Sequence, residues 1–168
     1  MSTDPMIRKI EIERFTLTSS KAFDDVVAAI NAEIGHPDMA EFLRSISQAK
    51  TASELEATVQ KSIAKTGLML LFQLDHGGIL RMAAGRSTAK MVRLIMGNPL
   101  IMKEMAKHVP DAGSYAPVTV LVDERGDGVH LSYDRMASLL APYGNPDVLA
   151  VARSLDSKVE GLLQRAAG

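Results

Sequence analysis

The sequence predicts an α+β domain: a mostly antiparallel sheet of about four or five strands, backed by helices in two layers. Three observations lead there. Apolar residues recur at helical spacing around residues 23–34, 39–46, 55–63 and 148–163, while strand-like runs stand at 68–74, 90–96, 117–122 and 129–133. Their order is strand, helices, two strands, helix, hairpin, helix, which segregates the two kinds of element rather than alternating them. The connection from Leu74 to Lys90 is short for a parallel crossover, so antiparallel pairing is expected there.

Residues 6–17 mix Ile7, Ile10, Ile12 and Phe15 with charges and read as a first strand. Ser19 and Ser20 offer caps for a helix carrying Phe23, Val26, Val27, Ile30 and Ile34, with Asp24 and Asp25 at its positive end and Gly35 as its stop. Pro37 opens a second helix, near residues 37–48, with Met39, Phe42, Leu43 and Ile46 on one stripe. Thr51 with Glu54, and Ser53 with Glu56, match a capping box for a third helix that Gly67 ends. Leu68–Leu74 is a buried strand broken by Gly77 and Gly78, and Ile79–Ala84 forms a short helical turn. Lys90–Met96 is a strand. Asn98 and Pro99 then cap and open a helix running to about His108. Pro117–Val122 and Val129–Tyr133 form a hairpin across residues 124–128. Asp134 caps a short helix limited by Pro142, and Asn145-Pro146 starts a long terminal one.

Residues 1–168 read as a single domain, with no internal repeat and no low-complexity linker. Hydrophobic residues make up 46% and charged residues 23%, so a real core can form. A net charge of −1 gives no footprint for nucleic acid or anionic lipid. Cysteine is absent, which removes disulfides, thiol nucleophiles and cysteine-based metal sites and suits the cytoplasm. No apolar signal core follows Arg8-Lys9, and the run Leu68–Phe72 is too short to span a bilayer; neither export nor a membrane is expected.

Three blocks stand out: Leu74-Asp75-His76-Gly77-Gly78, Gly97-Asn98-Pro99, and Ser132-Tyr133-Asp134. With the aliphatic run Val118–Val122 between them, they resemble the family catalogued as domain of unknown function 302. The likeness runs over roughly residues 10–34 and 53–166. It implies a helix-backed antiparallel sheet, a dimer, and no established activity. Against that pattern, residues 36–52 are a helical insertion, and Gly77–Met82 is bulkier and more apolar than usual.

Asp75, His76, Gly77, Gly78, Asn98 and Tyr133 are therefore the candidate ligand-binding residues. Asp75 and His76 form an acid–base pair only if the chain turns there, and stabilising that turn is the plainer role. Amides at Leu100 and Ile101 suit an anion, yet Asn98 can satisfy them itself. Ten methionines and four histidines show no ligand spacing, so haem or a soft metal is disfavoured, no metal site is assigned and no cofactor is required. Arg81, Arg86, Lys90 and Arg93 form the one local basic cluster, read as solvated surface. His130 is expected to face solvent or a subunit. The added helix is either packing or a lid hinged at Gly35 and residues 49–53. These readings favour a small-molecule-binding or regulatory module, with a pocket near Asp75, His76, Asn98 and Tyr133. The alternatives are an enzyme using Asp75 and His76, or a non-catalytic homodimeric interaction subunit.

Overall fold

In the computed structural model, which describes residues 4–168, strand β1 spans Arg14–Ser19. It starts later than the apolar mixture at 6–17 suggests. The spacing of Ile7, Ile10, Ile12 and Phe15 is not a period of two, whereas Phe15, Leu17 and Ser19 alternate strictly and turn one face to the core. Ile7 and Ile12 lie exposed before the strand.

Helix α1 covers Phe23–Glu33 and has no side-chain cap. Ser19, expected there, instead donates its hydroxyl to the carbonyl of Ala167 at 2.7 Å, tying β1 to the end of the chain. Helix α2 is Met39–Gln48, capped by Asp38, and α3 is Ala52–Ser62, capped by Thr51. The capping box is half as expected: Thr51 Oγ1 accepts from Glu54 N–H at 3.1 Å, while Glu54 returns to the N–H of Lys50 at 2.7 Å. Gly67 is not the end of α3. It forms the turn into β2, with φ of 74°.

Strand β2 is Met69–Leu74 and β3 is Met91–Gly97, with helix α4, His76–Ala84, between them. Gly77 and Gly78 lie in the first turn of α4, rather than in a break before it. Helix α5 is Pro99–Ala106 and α6 is Ala112–Tyr115. Strands β4, Val118–Arg125, and β5, Gly128–Asp134, make the expected hairpin with a tighter connection. Helix α7 is Met136–Leu140 and α8 is Pro146–Ala167, the latter capped by Asn145.

The five strands lie in the order β1-β5-β4-β3-β2, every neighbouring pair antiparallel. One face carries Val92, Leu94, Met96, Val118, Val120, Val122, Val129, Leu131 and Tyr133 into the main core. Helices α1 and α8 cover that face with Val26, Ile30, Leu155, Val159 and Leu162. A satellite cluster of Phe42, Val59 and Met69 joins α2 and α3 to β2. Gly35 bridges Met69 from outside, exchanging backbone hydrogen bonds with Leu68 and Leu70 at 2.9 and 2.8 Å. Only the first half of the β2 edge is covered in this way.

Candidate functional site

The antiparallel pairing of β2 and β3 decides where the candidate residues go. Met69 pairs with Gly97, and Leu74 pairs with Arg93. Asp75 and Asn98 therefore sit at opposite ends of the strand pair. At about 3.3 Å per residue, the two ends of β2 are roughly 17 Å apart. The common hollow expected for Asp75, His76, Asn98 and Tyr133 is not formed.

At one end, Asp75 caps α4. Its Oδ1 accepts the N–H of Gly78 at 2.7 Å, and its Oδ2 pairs with Arg81 at 3.1 Å. Both oxygens are engaged locally, neither by His76. Gly77 brings α4 against β3: an added Cβ would lie 2.6 Å from the backbone nitrogen of Met91. At Gly78 it would meet Asp75 Oδ2 at 2.5 Å.

At the other end, Asn98 Oδ1 accepts from the N–H of Leu100 at 2.8 Å, and Nδ2 donates to the carbonyl of Gly67 at 2.9 Å. One side chain caps α5 and pins the turn that leads into β2. Beside it lies an apolar hollow of about 160 Å³ lined by Leu71, Gly97, Asn98, Pro99, Ile101, Met102, Met105, Ala116, Pro117, Val118 and Leu155. None of these side chains titrates, and Asn98 is the one with a polar side chain. No residue of α2 lines it; Leu71 links hollow and satellite cluster.

Tyr133 is buried on the helix-covered face. Its hydroxyl donates to Asp156 Oδ1 at 2.7 Å. Asp156, 1% exposed, also accepts from the N–H groups of Met136 and Ala137 at 2.7 and 3.1 Å. It caps α7 from α8, the role expected of Asp134, which forms a two-pronged pair with Arg14 instead. Burial first, then the charge of Asp156, raises the Tyr133 phenol above its ordinary range. The signal for Asp156 was an acid on the apolar stripe of Ala152, Leu155 and Val159.

The basic cluster is partly kept and neutralised: Arg81 and Lys90 line one hollow, Arg81 paired with Asp75 and Lys90 with Asp24 at 2.6 Å, while Arg93 stands exposed on β3. His130, expected on the surface, is 9% exposed and bonded through Nε2 to Asp127 at 2.8 Å. Among the described residues, no three acidic or histidine side chains are grouped to hold a metal ion, and no helix is long and apolar enough to cross a membrane.

A search of curated proteins gives no match. Among solved structures, the chain is similar to an uncharacterized conserved protein DUF302 from Bacillus stearothermophilus. The two share 14% identity and a TM-score of 0.63, over 91% of this chain and 97% of that one. That likeness concerns the fold. The pattern of the family described as "Domain of unknown function DUF302" matches residues 43–166, most of the chain and all of β2 to β5. The chain belongs to the domain of unknown function DUF302 family.

Proposed function

We propose that this chain is a small-molecule-binding or regulatory module of the cytoplasm, with a small apolar ligand seated in the hollow beside Asn98. The apolar lining carries this reading. A dry apolar space of about 150 Å³ is enough for a benzene-sized molecule, and the hollow is of that size. Asn98 donates one N–H to Gly67 and accepts once from Leu100, which fixes its amide at the rim of an otherwise apolar lining. A lining without a titratable group has no means of acid–base chemistry, which favours binding over catalysis. The test is native mass spectrometry of freshly purified protein, then denaturing analysis of what is released. One small apolar molecule per chain, lost on Met102→Trp, is the expected result. Cargo retained when the hollow is filled in this way contradicts it.

A homodimer is the second reading. Phe72, Ile79, Leu80 and Met82 are 58%, 65%, 47% and 85% exposed on β2 and α4, an unusual apolar group for a free surface. It lies next to the uncovered half of the β2 edge. A second copy meeting this edge about a two-fold axis would pair the bare strand and bury all four side chains. Phe72→Glu combined with Ile79→Glu should shift sedimentation from dimer to monomer. An unchanged sedimentation coefficient counts against this interface. Residues 36–52, of which 43–52 fall inside the family match, lie outside both proposed surfaces and serve as packing in this reading.

A further inference from the structure

The sheet face turned away from α1 and α8 carries a second hollow, of about 390 Å³. One cross-strand row supplies its floor: Arg93 on β3 faces Leu121 on β4, which faces Ser132 on β5. Tyr115 of α6 and Leu139 of α7 wall one end. Three arginines line this hollow, and two are already neutralised. Arg14 holds Asp134 at 2.6 and 2.9 Å, and Arg125 holds Asp123 at 2.6 and 3.3 Å. Arg93 differs. Its Nη2 donates to Thr119 Oγ1 at 3.2 Å, and among the described residues it has no carboxylate within ion-pair distance.

We propose that this hollow binds a small organic anion, its oxyanion head on Arg93 and its apolar body over Leu121, Leu139 and Tyr115. The guanidinium is always charged and presents its donors in a planar fork, which fits a carboxylate or phosphoryl group on two oxygens. The bond to Thr119 fixes that fork against the sheet and leaves its other N–H groups free. The hydroxyl of Ser132 lies two strands away in the same row, within the lining. The excess charge is local, since the chain as a whole carries −1. Attraction is therefore confined to this hollow and falls as salt is raised. The site adjoins the apolar hollow beside Asn98, with Val118 lining both, and the two differ in ligand chemistry.

Amide-resolved NMR titration of the whole chain tests this, with benzoate and phenyl phosphate as anionic probes and benzyl alcohol as the neutral one. The expected result is saturable shifts at Arg93, Thr119, Leu121 and Ser132, with the alcohol at least tenfold weaker. Arg93→Ala and Arg93→Gln should each weaken the anions at least tenfold. Arg44→Ala, on α2, should leave their affinity unchanged. The glutamine variant keeps a stem and a donor for Thr119, so a loss there reads the charge and not the packing. Equal binding of the alcohol, anion binding retained in both Arg93 variants, or shifts centred on Met102 and Leu155 would each overturn the proposal. So would a change of oligomeric state in Arg93→Gln, which would place Arg93 between subunits.

Discussion

Replacing Asp156 with alanine strips the Ala137 N–H and the Tyr133 phenol of their acceptor and leaves the Met136 N–H only a longer bond to the Tyr133 hydroxyl, at 3.3 Å. An unsatisfied buried donor costs about 1–3 kcal/mol, so Asp156→Ala should lower stability by roughly 3–5 kcal/mol in chemical denaturation. Asp156→Asn keeps one acceptor oxygen and should lose less. Equal losses for both variants would show that the acceptor is not what matters. Tyr133 adds a pH signature. Its phenol is raised in the folded protein, so the folded state holds that proton more tightly than the unfolded state. The contribution is complete below the ordinary tyrosine value of 10 and is lost as pH rises through the folded value. Tyr133→Phe should weaken the protein at neutral pH by about 1–2 kcal/mol and flatten the decline of stability above pH 10. Parallel curves for the two proteins would contradict this origin. At this scale, local capping was legible in sequence. Asn98 and Thr51 cap the helices that follow them because their partners lie within three residues. The Tyr133–Asp156 bond spans 23 residues and depends on α8 folding back over β5, which no local pattern records.

Among the elements, α4 is held in place by a close backbone approach. Gly77→Ala puts a Cβ against the backbone of Met91, which cannot move like a side-chain tip. The substitution should cost about 1–3 kcal/mol through displacement of α4 from β3, measured by denaturation. A neutral or stabilising outcome would mean that α4 docks loosely. The same element shows why the paired glycines do not mark a break here. Gly-Gly ordinarily punctuates a strand, yet Asp75 caps across Gly78 and draws both into a helix. Strand β1 was displaced for a related reason. Three isoleucines near the N-terminus outweighed spacing, although only the residues from Phe15 onward keep a period of two. The long, strongly periodic α8 and the β4–β5 hairpin were legible because their signals repeat along the chain.

Across the whole molecule, the antiparallel sheet was readable from the order of elements, and the family from three short blocks. The candidate pocket was not. The two expectations conflict: the antiparallel pairing that the short β2–β3 connection implies reverses the chain and sends Asp75 and Asn98 to opposite ends, so it rules out a hollow joining them. What remains at the Asn98 end is an apolar hollow whose far wall, Ala116, Pro117 and Leu155, comes from elements with no motif to mark them. The open sheet face was equally hidden, since the neutralisation of Arg14 and Arg125 follows from pairing across and along strands. The most direct measurement is a methyl-NMR titration with indole on protein carrying labelled methionine methyls. Met102 and Met105 line the hollow, whereas Met82 is exposed on α4. Saturable shifts at Met102 and Met105, with Met82 unmoved, are the expected result. Shifts spread evenly over all three, or none at the two lining methionines, would contradict a ligand site beside Asn98.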